Sequence, residues 1–96
     1  MKTKLETVRI YDNGGETFDR YTAVYMTEPE GRGLYGARGM SENPFHPQGF
    51  GQYCTAMPGR HLGRRIAFSA LPEPCRELVQ RDVRDMLDDI KAGDAA

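Results

Sequence analysis

The sequence predicts an α+β domain: a small, mostly antiparallel sheet of four to five short strands with one C-terminal amphipathic helix packed on it. Three observations carry this. Residues 5–27 hold two stretches rich in β-branched and aromatic residues on either side of Asn13-Gly14-Gly15. Turn residues at 28–31 and 57–59 separate further strand-like stretches. From Cys75 onward the apolar residues recur with a helical period.

In chain order, residues 5–12 alternate as a strand, with Val8 and Ile10 on one face and Thr7 and Arg9 on the other. Asn13-Gly14 supplies the positive φ values of a type I′ hairpin turn. Residues 16–27 form the second strand, with Val24 and Met26 on one face and Tyr21, Ala23 and Tyr25 on the other. Apolar side chains on both faces make it a central strand, or one covered by a partner. Glu28-Pro29-Glu30-Gly31 reads as a turn and Leu34–Met40 as a third strand, in which Gly36 and Gly39 mark a bulge or a close approach of another backbone. Phe50–Thr55 reads as a fourth strand, with Phe50 and Tyr53 on opposite faces. Met57-Pro58-Gly59 is a turn, and Arg64–Phe68 a short fifth strand.

The helix opens near Ser69, and Ser69 or a near neighbour is placed to cap it. Pro72 and Pro74 fit only a first turn, where the backbone N–H groups have no intrahelical partner. Cys75, Leu78, Val79, Val83, Met86, Leu87 and Ile90 then span a stripe about 180° wide. Gly93 is the expected stop. Residues 1–96 make one domain, and 1–4 and 94–96 are expected to fray.

Charged residues at 28% and apolar residues at 39% suit a folded globule rather than a disordered chain. No apolar run approaches the roughly 20 residues of a membrane span, and Met1–Glu6 has no signal-peptide core, so a cytoplasmic protein with no membrane partner is expected. Cys54 and Cys75 read as reduced core thiols, with a single disulfide as the alternative. The formal charge of −1 hides a segregation. Residues 31–71 carry five arginines against Glu42 alone, whereas residues 72–96 sum to −3. The arginines face either the chain's own acidic helix or an acidic partner.

The stretch Asn43-Pro44-Phe45-His46-Pro47-Gln48-Gly49-Phe50-Gly51-Gln52 is the first candidate for function. As a recognition loop it anchors through Phe45 and Phe50 and makes directional hydrogen bonds through Asn43, His46, Gln48 and Gln52. As a structural loop it tucks both phenylalanines onto the core. Arg60, His61, Arg64 and Arg65 form a basic cluster suited to a phosphate or nucleic acid. Asp19, Arg20 and Tyr21 follow the expected hairpin, where Asp19 and Tyr21 with His46 have the groups for acid–base work if they converge. The alternative is a polar surface cluster in which Arg20 pairs with a carboxylate on a neighbouring strand. His46 and His61 lack the spacing of a metal site, and no motif asks for a cofactor. Asp82, Asp85 and Asp89 line one edge of the helix stripe. Asp82 lies inside it and is expected to meet an arginine of the middle segment rather than a divalent ion.

Residues 10–22 and 39–52, with Leu62–Ile66 and Leu71-Pro72, resemble a family of small proteins of bacteriophage genomes and bacterial mobile elements. The resemblance implies an origin and brings no cofactor or catalytic residue with it. By context it implies an accessory protein that binds and blocks a host protein, including host defence complexes. The expected function is therefore a non-enzymatic protein-binding module with a host or phage protein as partner. The alternatives are a nucleic-acid-associated protein using the arginines and a small enzyme using Asp19, Tyr21 and His46. A homodimer is open in every case, because an exposed sheet edge invites a second copy.

Overall fold

Five strands form one antiparallel sheet: β1 (Val8–Asp12), β2 (Tyr21–Gly31), β3 (Leu34–Met40), β4 (Gly51–Ala56) and β5 (Arg64–Ile66). Their spatial order is β4-β3-β2-β1-β5, and one helix, α1 (Glu73–Ala95), follows. The computed structural model describes residues 7–95, with side chains through Met86. The α+β class is the predicted one. Leu5, Glu6, residues 1–4, Ala96 and the side chains of Leu87, Asp89 and Ile90 lie outside what is described.

The alternation along β2 explains the two cores. Tyr21, Ala23 and Tyr25 point toward α1 and pack with Val8, Ile10, Met40, Leu71, Cys75, Val79 and Val83. Each large aliphatic side chain buried there contributes roughly 1.5–3 kcal/mol over leaving it exposed. Val24 points the other way and packs with Tyr11 and Ala37, closed by Met26, Tyr35, Ala56 and Leu62. β4 and β5 lie at opposite edges, so residues 57–63 must cross this second face to join them, and Leu62 is their contribution to it. Hence β2 is central, and its other face is covered by the chain's own crossover.

Four local expectations are corrected. First, Asn13-Gly14 does not make a two-residue hairpin. Gly14 and Gly15 do take φ of 77° and 89°. However, the side chains of Asp12 and Asn13 accept the next amides, Gly14 N at 2.7 Å and Gly15 N at 2.9 Å. These Asx contacts turn the chain into a loop that closes only at Arg20, whose carbonyl accepts Asn13 N at 3.0 Å. Residues 16–20 are therefore loop, and β2 begins at Tyr21. Second, the tight turn falls at Arg32-Gly33, both at positive φ (57° and 78°), rather than at residues 28–31. Pro29 is tolerated in β2 because, among the described residues, the pairing with β1 ends at Tyr25, so no described strand there calls for its missing N–H.

Third, Ser69 does not cap the helix. It lies in a 3₁₀ turn (Phe68–Ala70), and the carbonyl of Pro72 accepts the first helical bond, from Arg76 N at 3.0 Å. Gly93 does not stop the helix, which runs to Ala95. Fourth, only Cys75 is a core thiol. Cys54 is exposed on β4, paired opposite Ala37 on the crossover face, so the two free cysteines lie on opposite faces of the sheet and no disulfide joins them.

Candidate functional site

The antiparallel order gathers three connections at one end of the sheet. β1 ends there at Asp12, β2 starts at Tyr21, β3 ends at Met40, β4 starts at Gly51, and β5 starts at Arg64 opposite Asp12. The loop 13–20, the loop 41–50 and the approach to β5 are therefore neighbours. The far end carries the compact Arg32-Gly33 hairpin.

Both loops are built rather than slack. In the first, Asn13 Nδ2 donates to Thr17 Oγ1 at 2.7 Å, and Arg20 clamps Asp12 with two hydrogen bonds, Nε to Oδ1 at 2.8 Å and Nη2 to Oδ2 at 3.1 Å. Nη1 of the same guanidinium reaches Glu42 at 3.1 Å, tying the first loop to the second. Asp12 is buried, and the Arg20 hydrogen bonds hold its carboxyl below the usual carboxylate range. Arg20 thus pairs with a neighbouring strand's carboxylate, as expected. In the second loop, buried Ser41 grips the neck: its backbone N donates to Phe50 O at 2.8 Å, and its Oγ accepts Phe50 N at 2.8 Å. Asn43 Oδ1 accepts Phe45 N at 3.1 Å, and His46 Nδ1 accepts Gln48 N at 3.1 Å, which puts a neutral imidazole's proton on Nε2. Any Cβ at Gly49 would run into the Asn43 carbonyl.

The two phenylalanines of this loop part company. Phe50 turns to the crossover face, against Gly39. Phe45 is 44% exposed and leans on the helix side, its ring 4.9 Å from the Arg81 guanidinium carbon. Asn43, His46 and Gln48 remain exposed, and Gln52 is exposed on β4. Between the loops opens a cleft of about 580 Å³, lined by Glu16, Phe18, Arg20, Asn43, His46 and Gln48 among others. Phe18, 67% exposed, is the largest apolar side chain lining the cleft. It was hidden from sequence reasoning because residues 16–27 read as a strand. The signal that would have found it is Asp12-Asn13, two successive Asx-turn formers ahead of the glycines.

Across the first loop lies a second recess of about 480 Å³, where Arg60, His61 and Arg64 meet Asp12, Glu16 and Arg20. Arg60, Arg64 and Arg65 form no ion pair among the described residues. The arginines of the middle segment therefore divide. Among the described residues Arg38 alone meets the helix: its Nε and Nη2 hold Asp82 at 2.9 Å and 2.6 Å, and Tyr25 Oη donates to the same carboxylate. Burial, reinforced by Asp82, pushes the Tyr25 phenol upward. Asp82 thus meets a middle-segment arginine as expected, in a buried link between sheet and helix. Among the described residues no group of three or more His, Cys, Asp and Glu side chains is gathered as for a metal.

The acid–base set does not share one pocket. Tyr21 is buried under α1, whereas the Asp19 carboxylate lies 3.5 Å from where a Gly39 side chain would start, on the crossover face. Strand alternation would have aligned them, but Asp19 precedes β2. Compared with protein-family models, with curated proteins and with solved structures, the chain matches none.

Proposed function

We propose that this protein is a non-enzymatic binding module that grips a protein partner with the loop end of its sheet. The observation that supports it is the cleft between residues 15–18 and 41–49, where exposed Phe18 stands beside the polar groups of Asn43, His46 and Gln48. An apolar anchor with pre-ordered hydrogen-bonding groups around it has the composition of an interface centre. The internal hydrogen bonds of both loops lower the ordering cost of binding. Phe45 and Gln52 extend the surface toward α1 and β4. The resemblance to phage and mobile-element proteins supplies the setting, an accessory protein that blocks a host protein.

The test is capture of host proteins on the immobilised full chain beside two variants. Phe18→Ala/His46→Ala should keep its Tm and lose a stoichiometric partner, while Arg32→Glu, at the far end of the sheet, should keep it. A partner retained by the first variant and lost by the second would overturn the proposal. Arg60, Arg64 and Arg65, which form no ion pair among the described residues, favour a second reading, contact with nucleic acid, which predicts binding that weakens steeply with salt.

A further inference from the structure

The loop 41–50 uses one turn twice. Asn43 O accepts His46 N at 3.2 Å, and His46 O accepts Gly49 N at 2.8 Å, so residues 43–46 and 46–49 are tandem turns that share His46. Each has a proline in second place, Pro44 or Pro47, which presets the backbone angle and brings no N–H. Each is then closed again by its first side chain, which accepts the next free amide: Asn43 Oδ1 takes Phe45 N, and His46 Nδ1 takes Gln48 N, both at 3.1 Å. The loop 13–20 opens with the same contact, from Asp12 to Gly14 N and from Asn13 to Gly15 N. Of these four acceptors, three are amide or carboxylate oxygens, which still accept in mild acid. The fourth is a ring nitrogen, and imidazole is the side chain that ordinarily titrates between about pH 5 and 8. An imidazolium donates from both nitrogens and accepts nothing, so protonation would set a ring N–H against Gln48 N–H.

We propose that His46 is a pH-sensitive latch on the loop-end surface: the neutral ring holds the turn 46–49 closed, and its protonation releases it. The consequence for binding rests on the loop-end reading above, because His46 and Gln48 line the cleft that holds Phe18. A contact made there is held at neutral pH and weakened in mild acid. The charged groups that share the cleft are Glu16 and Arg20 of the first loop and Glu42 of the second. Arg20 is tied to Asp12 and to Glu42. On the helix side, the neighbouring Phe45 meets Arg81, which pairs with Glu77. Carboxylates and guanidiniums ordinarily keep their charge between about pH 8 and 5.5, so among these groups His46 alone changes state in that window. His61 lies across the first loop, in the other recess.

NMR of the full chain reads the latch without any partner. At about pH 7.5 the His46 ring should be the Nε2–H tautomer, and on acidification to about pH 5.5 the Gln48 amide should lose the small temperature coefficient of a bonded N–H, with the midpoint of the His46 ring itself. The Phe45 amide, held by Asn43, should keep its coefficient, and the His61 midpoint should leave Gln48 unmoved. His46→Asn puts an amide oxygen where the first turn has one, so Gln48 should stay bonded across the whole range. An Nδ1–H tautomer at neutral pH, or a Gln48 amide indifferent to the His46 midpoint, would overturn the proposal. Capture of a partner should weaken about 2–10-fold between those two pH values, the worth of one hydrogen bond. His46→Asn should abolish that ratio whatever affinity it leaves, and capture equally strong at both pH values in the unmodified chain counts against the latch. A chain that captures no partner sinks the loop-end reading alone, and the Gln48 amide still decides the latch.

Discussion

The β4 and β5 edges are anchored by the same device, a buried aspartate held in an arginine fork, and yet they face solvent differently. Beneath β4, Tyr53 rests on Tyr25 and Arg38, and both are tied to Asp82 on the helix. At β5, Arg64 stands across from Asp12, which is clamped by Arg20 from the neighbouring loop. The acid of one edge joins sheet to helix, and the acid of the other joins sheet to loop. Anchoring an edge from within is thus separable from guarding its outer side, since only β5 carries arginines along that side.

The largest break in this comparison is Asp82→Ala. It leaves Arg38 mostly buried without its carboxylate and removes the acceptor of Tyr25, so the expected loss is about 3–5 kcal/mol. That figure is the cost of stranding a charge, larger than the net worth of the pair. Urea midpoints at pH 7 measure it, and a loss below about 1 kcal/mol would mean that the sheet–helix link is incidental.

Asp12→Asn should act more weakly, by about 1–3 kcal/mol at neutral pH, because Arg20 is one-third exposed and stays solvated. Its sign with pH is set by the depressed carboxyl. The stabilisation is present above the unfolded-state value near 3.9 and is lost as pH falls through the lower folded value. The gap between wild type and Asp12→Asn should therefore narrow in acid. A gap that stays constant from pH 7 to the acid limb would show that the pair contributes through shape alone.

The smallest effect concerns the thiols and leaves stability untouched. Exposed Cys54 should react with an aromatic disulfide reagent within minutes. Cys75 should react only when the fold opens: its Sγ donates to Ser41 O at 3.1 Å, and burial pushes the thiol up to about 11. Two equally reactive thiols would contradict the opposite placement of these side chains.

Much of the fold was legible because it rests on local rules. The strand at Leu34–Met40, the double-faced β2, the pairing of Arg20 with a neighbouring strand and the helical stripe through Cys75, Val79 and Val83 all follow from periodicity and residue type. Asp82 was readable as a core-rim acid because it interrupts that stripe. The candidate site was half legible. Residues 43–49 were found from their proline and glycine pattern, while Phe18 was missed because β-propensity at residues 16–20 competes with the Asx turns that win there.

By itself the sequence determined the α+β class, the two apolar faces of β2, the helix and the segregation of charge, since each depends on neighbours within a few residues or on overall pattern. Only the tertiary structure decided which strands form the edges, which arginine finds Asp82, and that loops 13–20 and 41–50 share one end of the sheet. Those outcomes depend on pairing between residues tens of positions apart. Many such pairings satisfy the same local preferences, and only packing both faces of β2 at once selects among them.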